Sequence, residues 1–155
     1  MKTNEEFLQL AVDLARRNVA EGGGRPFGAV LVKDGEVIAT GVNEILSTND
    51  PSTHAEMQAI RAATTARKNP RLDGFTMFAK GQPCPMCLAA IHMTGVTAAY
   101  FAYSNEDAEP FQMSTARIYA EMAKPMAQQA IFVEYLPVRD CGERPFEAWQ
   151  RAQNA

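Results

Sequence analysis

Apolar and polar residues alternate along the chain with two different periods. Between residues 4 and 20, apolar side chains recur every three to four positions, which predicts an amphipathic helix with one buried face. Asn4 is the expected N-cap of this helix, and two acidic residues follow it in the first turn. After a run of glycines, residues 27–43 read as two strands around Asp34-Gly35, a pair typical of hairpin turns.

Beyond this hairpin, helical and extended patterns alternate. The predicted elements are a helix over 54–68, a strand over 75–79, a helix over 84–95, a strand over 96–103, a polar loop over 104–114, a helix over 115–124, a strand over 129–138 and a helix over 145–153. This order predicts an α/β fold, a three-layer αβα sandwich around a mixed five-stranded sheet. Without a linker or an internal repeat, residues 1–155 are expected to form a single domain.

Composition narrows the possible partners. The formal net charge is −3, and no cluster of Lys and Arg provides the basic surface of a nucleic-acid-binding protein. We see no apolar run of membrane-spanning length and no signal-peptide pattern, so we expect a cytoplasmic protein. Three cysteines are an odd number, which argues against a disulfide framework.

Two of these cysteines form a C-x-x-C pair. Cys84 and Cys87 open a predicted helix, and Pro85 suits its first position. Thiolates are stabilised there by the helix dipole and by unpaired backbone N–H groups. The pair alone is compatible with a metal site, a redox disulfide or plain buried cysteines.

His54 adds a third candidate ligand at the start of another predicted helix. One His and two Cys are three zinc ligands, which leave a coordination position open, as in catalytic rather than structural sites. His92 is turned about 140° from Cys87 around their helix and should not complete the set. Cys141, in a late loop, remains a possible fourth ligand. Glu56, two positions from His54, is either an exposed first-turn acid or a proton carrier beside the metal.

His54-Ala55-Glu56 followed by Pro83-Cys84-Pro85-Met86-Cys87 resembles the signature of zinc-dependent nucleobase deaminases. The stretches PFGAVLVKDGEVIATGVN, STNDPSTHAEMQAIRAA and PFEAW are similar to the guanine deaminase branch, and the resemblance covers nearly the whole chain. It implies a cytidine-deaminase-like fold and hydrolytic removal of an exocyclic amine as ammonia.

The resemblance also implies roles for individual residues. His54, Cys84 and Cys87 would bind Zn²⁺, and Glu56 would transfer protons. Asn43 would hydrogen-bond the base, Phe27 would pack on its ring, and the backbone of Ala55 would contact a ring carbonyl oxygen. The branch further implies a homodimer in which the C-terminal helix 145–155 is exchanged between subunits.

Two positions depart from the branch. Gln82 stands where a Glu is usual before Pro-Cys, and Phe111-Gln112-Met113-Ser114 replaces a stretch with two acidic residues. Acids that could substitute for that pair are Asp107, Glu109, Asp140 and Glu143. Asp140 and Glu143 stand out because a C-terminal loop can close a pocket, and Tyr103 is a further candidate for the pocket edge.

We therefore expect a zinc hydrolase that removes an amine from a purine base of the guanine type. The alternatives within the class are cytosine, another aminopyrimidine or triazine, and guanosine. Adenosine in tRNA is disfavoured by the acidic charge balance. Outside the class, a zinc-stabilised binding module or a thiol oxidoreductase would use the same cysteines.

Overall fold

A computed structural model describes residues 1–139 and 142–155 of the chain. Within them, contacts divide the chain into two compact units, residues 1–120 and 121–155. The helices are α1 (Asn4–Gly22), α2 (Ile45–Thr48), α3 (Ala55–Arg67), α4 (Pro85–Thr94), α5 (Asn105–Ala108), α6 (Ala116–Met122) and α7 (Pro145–Gln153), and the strands are β1 (Gly28–Lys33), β2 (Glu36–Val42), β3 (Thr76–Gly81) and β4 (Ala98–Tyr103). None of these helices is long and apolar enough to cross a membrane.

The four strands form one mixed sheet in the order β2-β1-β3-β4. β1 is antiparallel to both β2 and β3, whereas β3 and β4 are parallel. Asp34 and Gly35 make the turn between β1 and β2 with positive φ angles of 51° and 78°, as the Asp-Gly pair predicts. The α/β class and the mixed sheet of the sequence analysis are confirmed.

The sheet lies between two helical layers because its side chains alternate between its faces. On one face, the core residues are Val30, Val32 and Phe78 with Phe7 and Ala11 of α1. On the other face, they are Ala29, Leu31 and Met77 with residues of α3 and α4 that include Ala59, Ile60 and Ile91. α1 and α3 each bury one face of small and apolar side chains, which explains the helical period read from the sequence.

Close packing brings the start of α3 against β2. A side chain at Gly41 would place its Cβ 2.2 Å from the Ala55 carbonyl oxygen and 2.5 Å from the Ala59 nitrogen. Only glycine permits this approach. The first turn of α3, which carries the His54-Ala55-Glu56 motif, is thereby held directly against the sheet.

The fifth strand predicted over 129–138 is not formed. In the structure this segment has no regular secondary structure, and Ile131, Phe132 and Tyr135 are exposed. A strand needs a neighbour for its backbone hydrogen bonds. No other strand belongs to the described part of the 121–155 unit, so its apolar, β-branched composition alone does not produce one.

Three smaller expectations are also corrected. Thr3, not Asn4, caps α1: its hydroxyl accepts a hydrogen bond from the Glu6 N–H at 3.2 Å, and Glu6 bonds back to the Thr3 N–H at 2.7 Å. This reciprocal capping box uses two otherwise unpaired N–H groups. The segment 104–114, expected as a loop, contains α5 and a 3-10 turn. α2 forms between the hairpin and α3, where no element was predicted.

Candidate metal centre and active site

Two helix starts converge to form the site. His54 is the N-cap of α3 and Cys84 is the N-cap of α4, and both have extended backbone angles. The Cys84 sulfur accepts a hydrogen bond from the Cys87 N–H at 3.4 Å, whereas the His54 side chain makes no capping bond. The imidazole is therefore available to face the two sulfur atoms across the gap between the helices.

Three donor atoms meet at this point. The Nδ1 atom of His54 lies 3.4 Å from the Cys84 sulfur and 3.6 Å from the Cys87 sulfur. A tetrahedral zinc ion with ordinary bond lengths separates a nitrogen and a sulfur ligand by about 3.5 Å. The donor set and its spacing thus fit Zn²⁺, with one coordination position left for a non-protein ligand.

Of the two spare candidate ligands, His92 lies in the described part of the chain and does not join this group. His92 is exposed on α4 and outside the cluster, as its rotation around the helix predicts. Cys141 and Asp140 lie outside the described residues. A site with three protein ligands follows from the described part of the chain.

The electrostatics of the cysteine pair also favour a cation. The hydrogen bond from Cys87, with help from His54, lowers the pKa of Cys84 to about 4. The resulting thiolate, together with burial, raises the pKa of the Cys87 thiol. The hydrogen bond to Cys84 raises the pKa of His54. Two buried thiolates would need a compensating charge, which a divalent metal ion at this point supplies.

Glu56 is buried beside the cluster rather than exposed at the helix surface. Its side chain is 5% exposed, and its Oε2 accepts a hydrogen bond from the Cys87 thiol at 3.5 Å. Burial raises the pKa of this carboxyl group. A carboxyl group with a raised pKa is suited to take and return protons near neutral pH.

The cluster forms the floor of a cavity of about 400 Å³. This volume falls within the range of small-molecule sites. The cavity is lined by Arg25, Phe27, Asn43, His54, Glu56, Gln82, Cys84 and the segment 111–115. The structure therefore gathers His54, Glu56, Cys84, Asn43 and Phe27 from four separate parts of the sequence.

Asn43 is buried in the wall and presents a hydrogen-bond donor. Its Oδ1 accepts the Ile45 N–H at 3.2 Å, which leaves the Nδ2 group without an acceptor among the described residues. Ala55 is the first residue of α3, so its N–H has no acceptor within the helix. The Asn43 amide lines the cavity and can donate to a polar ring. Ala55 is fully buried and is not among the lining residues, so donation from its N–H to a ring stays a prediction.

Phe27 offers an aromatic wall to the same cavity. The Lys80 ammonium group lies over its ring, 4.8 Å from the centroid, at a distance typical of a cation–π contact. Tyr103 lines a neighbouring cavity of about 300 Å³ together with Phe27 and Lys80, and is absent from the walls of the cavity above the cluster.

Sequence reasoning missed Arg25 in the wall of the cavity. Arg25 was not predicted; its position before the first strand, next to Phe27, is the one local sign that it could reach the site. The segment 111–115 was singled out for its missing acids, and it does line the cavity. Its residues are all neutral, so this wall offers amide, hydroxyl and apolar groups but no carboxylate.

Gln82 anchors this neutral segment. Its Oε1 accepts the Asn105 N–H at 3.0 Å, and the Asn105 Oδ1 accepts the Thr115 N–H at 3.0 Å. The hydroxyl group of Tyr119 donates a hydrogen bond to the Pro83 carbonyl oxygen. The residues just before Cys84 thus hold the opposite wall of the cavity in place.

The acidic candidates have other contacts. Asp107 belongs to the capping box of α5 with Ser104, and Glu109 starts the 3-10 turn. Within the 121–155 unit, Glu143 pairs with Arg151, with an oxygen–nitrogen distance of 2.7 Å. Asp107 lines the neighbouring cavity, and neither Asp107 nor Glu109 lines the cavity above the metal cluster.

Comparisons with known proteins agree with this geometry. Residues 1–103 match the cytidine and deoxycytidylate deaminase zinc-binding region. The chain is 38% identical to guanine deaminase of Bacillus subtilis over 151 residues, 97% of this chain and 96% of that protein. The crystal structure of the Bacillus subtilis enzyme superposes with a TM-score of 0.88, covering 97% of this chain and 95% of that chain.

More distant relatives share the fold with different ligands. A tRNA-specific adenosine deaminase of Aquifex aeolicus is 27% identical over 97% of this chain and 96% of its own length. A crystal structure determined in complex with 8-azaguanine is 25% identical, with a TM-score of 0.69, over 73% of this chain and 65% of that chain. Together with the His-Cys-Cys cluster, these matches establish that the chain belongs to the zinc-dependent cytidine and deoxycytidylate deaminase family.

Proposed function

We propose that this protein hydrolyses guanine to xanthine and ammonia. The observation that carries the proposal is the His54–Cys84–Cys87 donor set with buried Glu56 at the floor of a cavity sized for a nucleobase. The 38% identity to a guanine deaminase over almost the full chain supports guanine above other amines. The binding of 8-azaguanine by a relative supports a free base as the ligand.

His54, Cys84 and Cys87 would hold zinc, which activates a water molecule as a nucleophile near neutral pH when bound. Glu56 would carry the two protons of the attacking water in turn, one to the ring nitrogen beside the reacting carbon and one to the departing amine, so that ammonia leaves and a carbonyl group remains. The low exposure of Glu56 keeps its carboxyl group away from bulk water. The raised pKa allows the same group to act first as base and then as acid.

Recognition of the ring rests on the cavity walls. Phe27 packs on a face of the base, and the Asn43 Nδ2 and Ala55 N–H groups donate to its oxygen and nitrogen acceptors. The N–H groups of guanine then need acceptors, which Gln112 and Ser114 offer as neutral groups. This neutral wall also suits an aminopyrimidine such as cytosine, which is the second candidate substrate.

The assembly and compartment are proposed from the same family. We propose a homodimer in which residues 145–155 pass to the partner subunit. Phe146 and Trp149 are exposed in the described chain, which supports an external surface as their partner. The segment predicted as a fifth strand would find its neighbour there. A cytoplasmic location is supported by two free, closely spaced thiols that suit a reducing environment.

An ammonia-release screen tests the activity. Zinc-loaded protein should release ammonia from guanine faster than from cytosine, isocytosine, guanosine, adenine or aminotriazines. Turnover of cytosine but not of guanine would contradict the proposed substrate and leave the proposed reaction, hydrolytic deamination, in place.

Glu56→Gln should retain one zinc per chain while kcat falls about 10²–10⁴-fold. Glu5→Gln, an exposed exchange of the same kind on α1, serves as the control. Full activity of Glu56→Gln would overturn the proposed mechanism.

A further inference from the structure

A single amide on α1 links two walls of the cavity. The Nδ2 group of Asn18 donates hydrogen bonds to the carbonyl oxygen of Arg25 at 2.8 Å and to that of Asn43 at 2.9 Å. Arg25 and Asn43 both line the cavity, although they follow different elements of the fold. Both hydrogens of one NH₂ group are therefore used to hold two separate loops together.

The backbone completes this connection. The Phe27 N–H bonds to the Arg25 carbonyl oxygen at 2.8 Å, and the Asn43 N–H bonds to the Phe27 carbonyl oxygen at 3.2 Å. Arg25, Phe27 and Asn43 thus form a closed ring of hydrogen bonds with Asn18. Three residues that line the cavity take their relative positions from this ring.

The local sequence around Asn18 is adapted to this contact. The Asn18 carbonyl oxygen accepts the Gly24 N–H at 2.9 Å, so the chain turns back over the side chain. A Cβ atom at Gly24 would lie 2.5 Å from the Asn18 Nδ2 atom. Glycine at this position is therefore required for the amide to reach the two carbonyl groups.

We propose that Asn18 is a positioning residue that sets the affinity for the substrate ring. In the described structure its side-chain hydrogen bonds go to Arg25 and Asn43, and none goes to the metal cluster or to Glu56. Its loss should displace Phe27 and the Asn43 donor while the zinc ligands stay in place. This inference rests on the proposed function, because it assigns Phe27 and Asn43 to base binding.

Asn18→Asp is the sharpest test. The two side chains have nearly the same shape, but a carboxylate cannot donate to the two carbonyl oxygens and repels them. We expect KM for guanine to rise at least about tenfold and kcat to change less than about threefold, since the donor to both carbonyl oxygens is lost and a negative charge faces them instead. Zinc content should stay at one per chain.

Two further variants separate positioning from folding. Asn18→Ala removes the donor without adding charge, so its KM should lie between those of the unchanged protein and Asn18→Asp. Asn4→Asp makes the same exchange at an exposed position of α1 that has no side-chain partner in the described structure, and it should leave KM unchanged. Loss of zinc or an equal fall of kcat in both Asn18 variants would overturn the proposal in favour of a purely structural role.

Binding without turnover provides the second readout. In the Glu56→Gln background, calorimetry with 8-azaguanine should give a Kd that rises at least about tenfold on adding Asn18→Asp, matching the change in KM. Unchanged affinity would overturn the positioning role. If the unchanged protein does not deaminate guanine, the proposed function fails. The Asn18 variants are then compared on the base that the ammonia screen identifies, so the two failures are distinguishable.

Discussion

The floor and the walls of the cavity are built in different ways. The floor consists of N-cap and first-turn residues of two helices whose following residues, such as Ala59 and Ile91, are buried in the core. The walls consist of loop residues that are mostly exposed or half-buried and are held by hydrogen bonds from Asn18 and Gln82. The floor is therefore fixed by packing, and the walls are fixed by a few polar contacts.

This difference matches a division between chemistry and selectivity. Metal ligands must be held within a few tenths of an ångström, and rigid elements do this better than loops. Selectivity among aminated rings depends on which donors and acceptors the walls offer, and loops can change these without disturbing the core. We expect substitutions in the floor to abolish activity and substitutions in the walls to change affinity.

Loss of a zinc ligand should have the largest effect. Cys87→Ala should reduce zinc from one per chain to near zero and abolish ammonia release, since two ligands hold the ion poorly. A chelator should lower the thermal unfolding midpoint of the unchanged protein and leave that of the variant as it is. The reason is that bound zinc stabilises the folded state, by about 2.7 kcal/mol when its free concentration is a hundred times its Kd. Met86→Ala, an exposed neighbour on α4, is the control. Full zinc retention by Cys87→Ala would contradict the conclusion that the residues of the floor hold the metal ion.

A wall substitution that keeps the shape should have an intermediate effect. Asn43→Asp retains an acceptor for the Ile45 N–H but cannot donate to a ring oxygen, and it places a charge at a position that is 4% exposed. We expect kcat/KM for guanine to fall about 10–100-fold, in line with about 1–3 kcal/mol for an unmet buried hydrogen bond. Metal analysis should give the same zinc content as before; zinc loss here would mean that wall and floor are coupled.

Gln82 should give the smallest effect. Gln82→Leu removes the acceptor for the Asn105 N–H, so the segment 111–115 loses one support. We expect KM to rise about two- to tenfold, corresponding to about 0.5–1.5 kcal/mol, with kcat nearly unchanged. Gln82→Glu keeps the acceptor and should stay closer to the unchanged protein in steady-state kinetics. Equal effects of the Leu and Glu variants would show that this hydrogen bond does not hold the wall.

The sequence by itself determined the helices of the core, the first four strands and the residues of the cavity floor. These depend on local patterns: apolar periodicity, Asp-Gly at a turn and ligand types at helix starts. The strand predicted over 129–138 failed because a β-strand depends on a neighbour that local composition does not supply. The cap at Thr3 was missed because hydrogen bonds, not residue preferences alone, decide where a helix begins.

Only the tertiary structure decided how the walls of the cavity are assembled. Arg25 and the segment 111–115 are brought to the metal cluster by contacts between distant parts of the chain, and no local pattern encodes such contacts. The same holds for Asn18, which lies on the α1 side of the sheet and yet positions residues of the cavity. The physical reason is that the residues at a helix start are positioned by the helix, which the local sequence predicts. The position of a loop depends on hydrogen bonds from residues that are distant in the sequence.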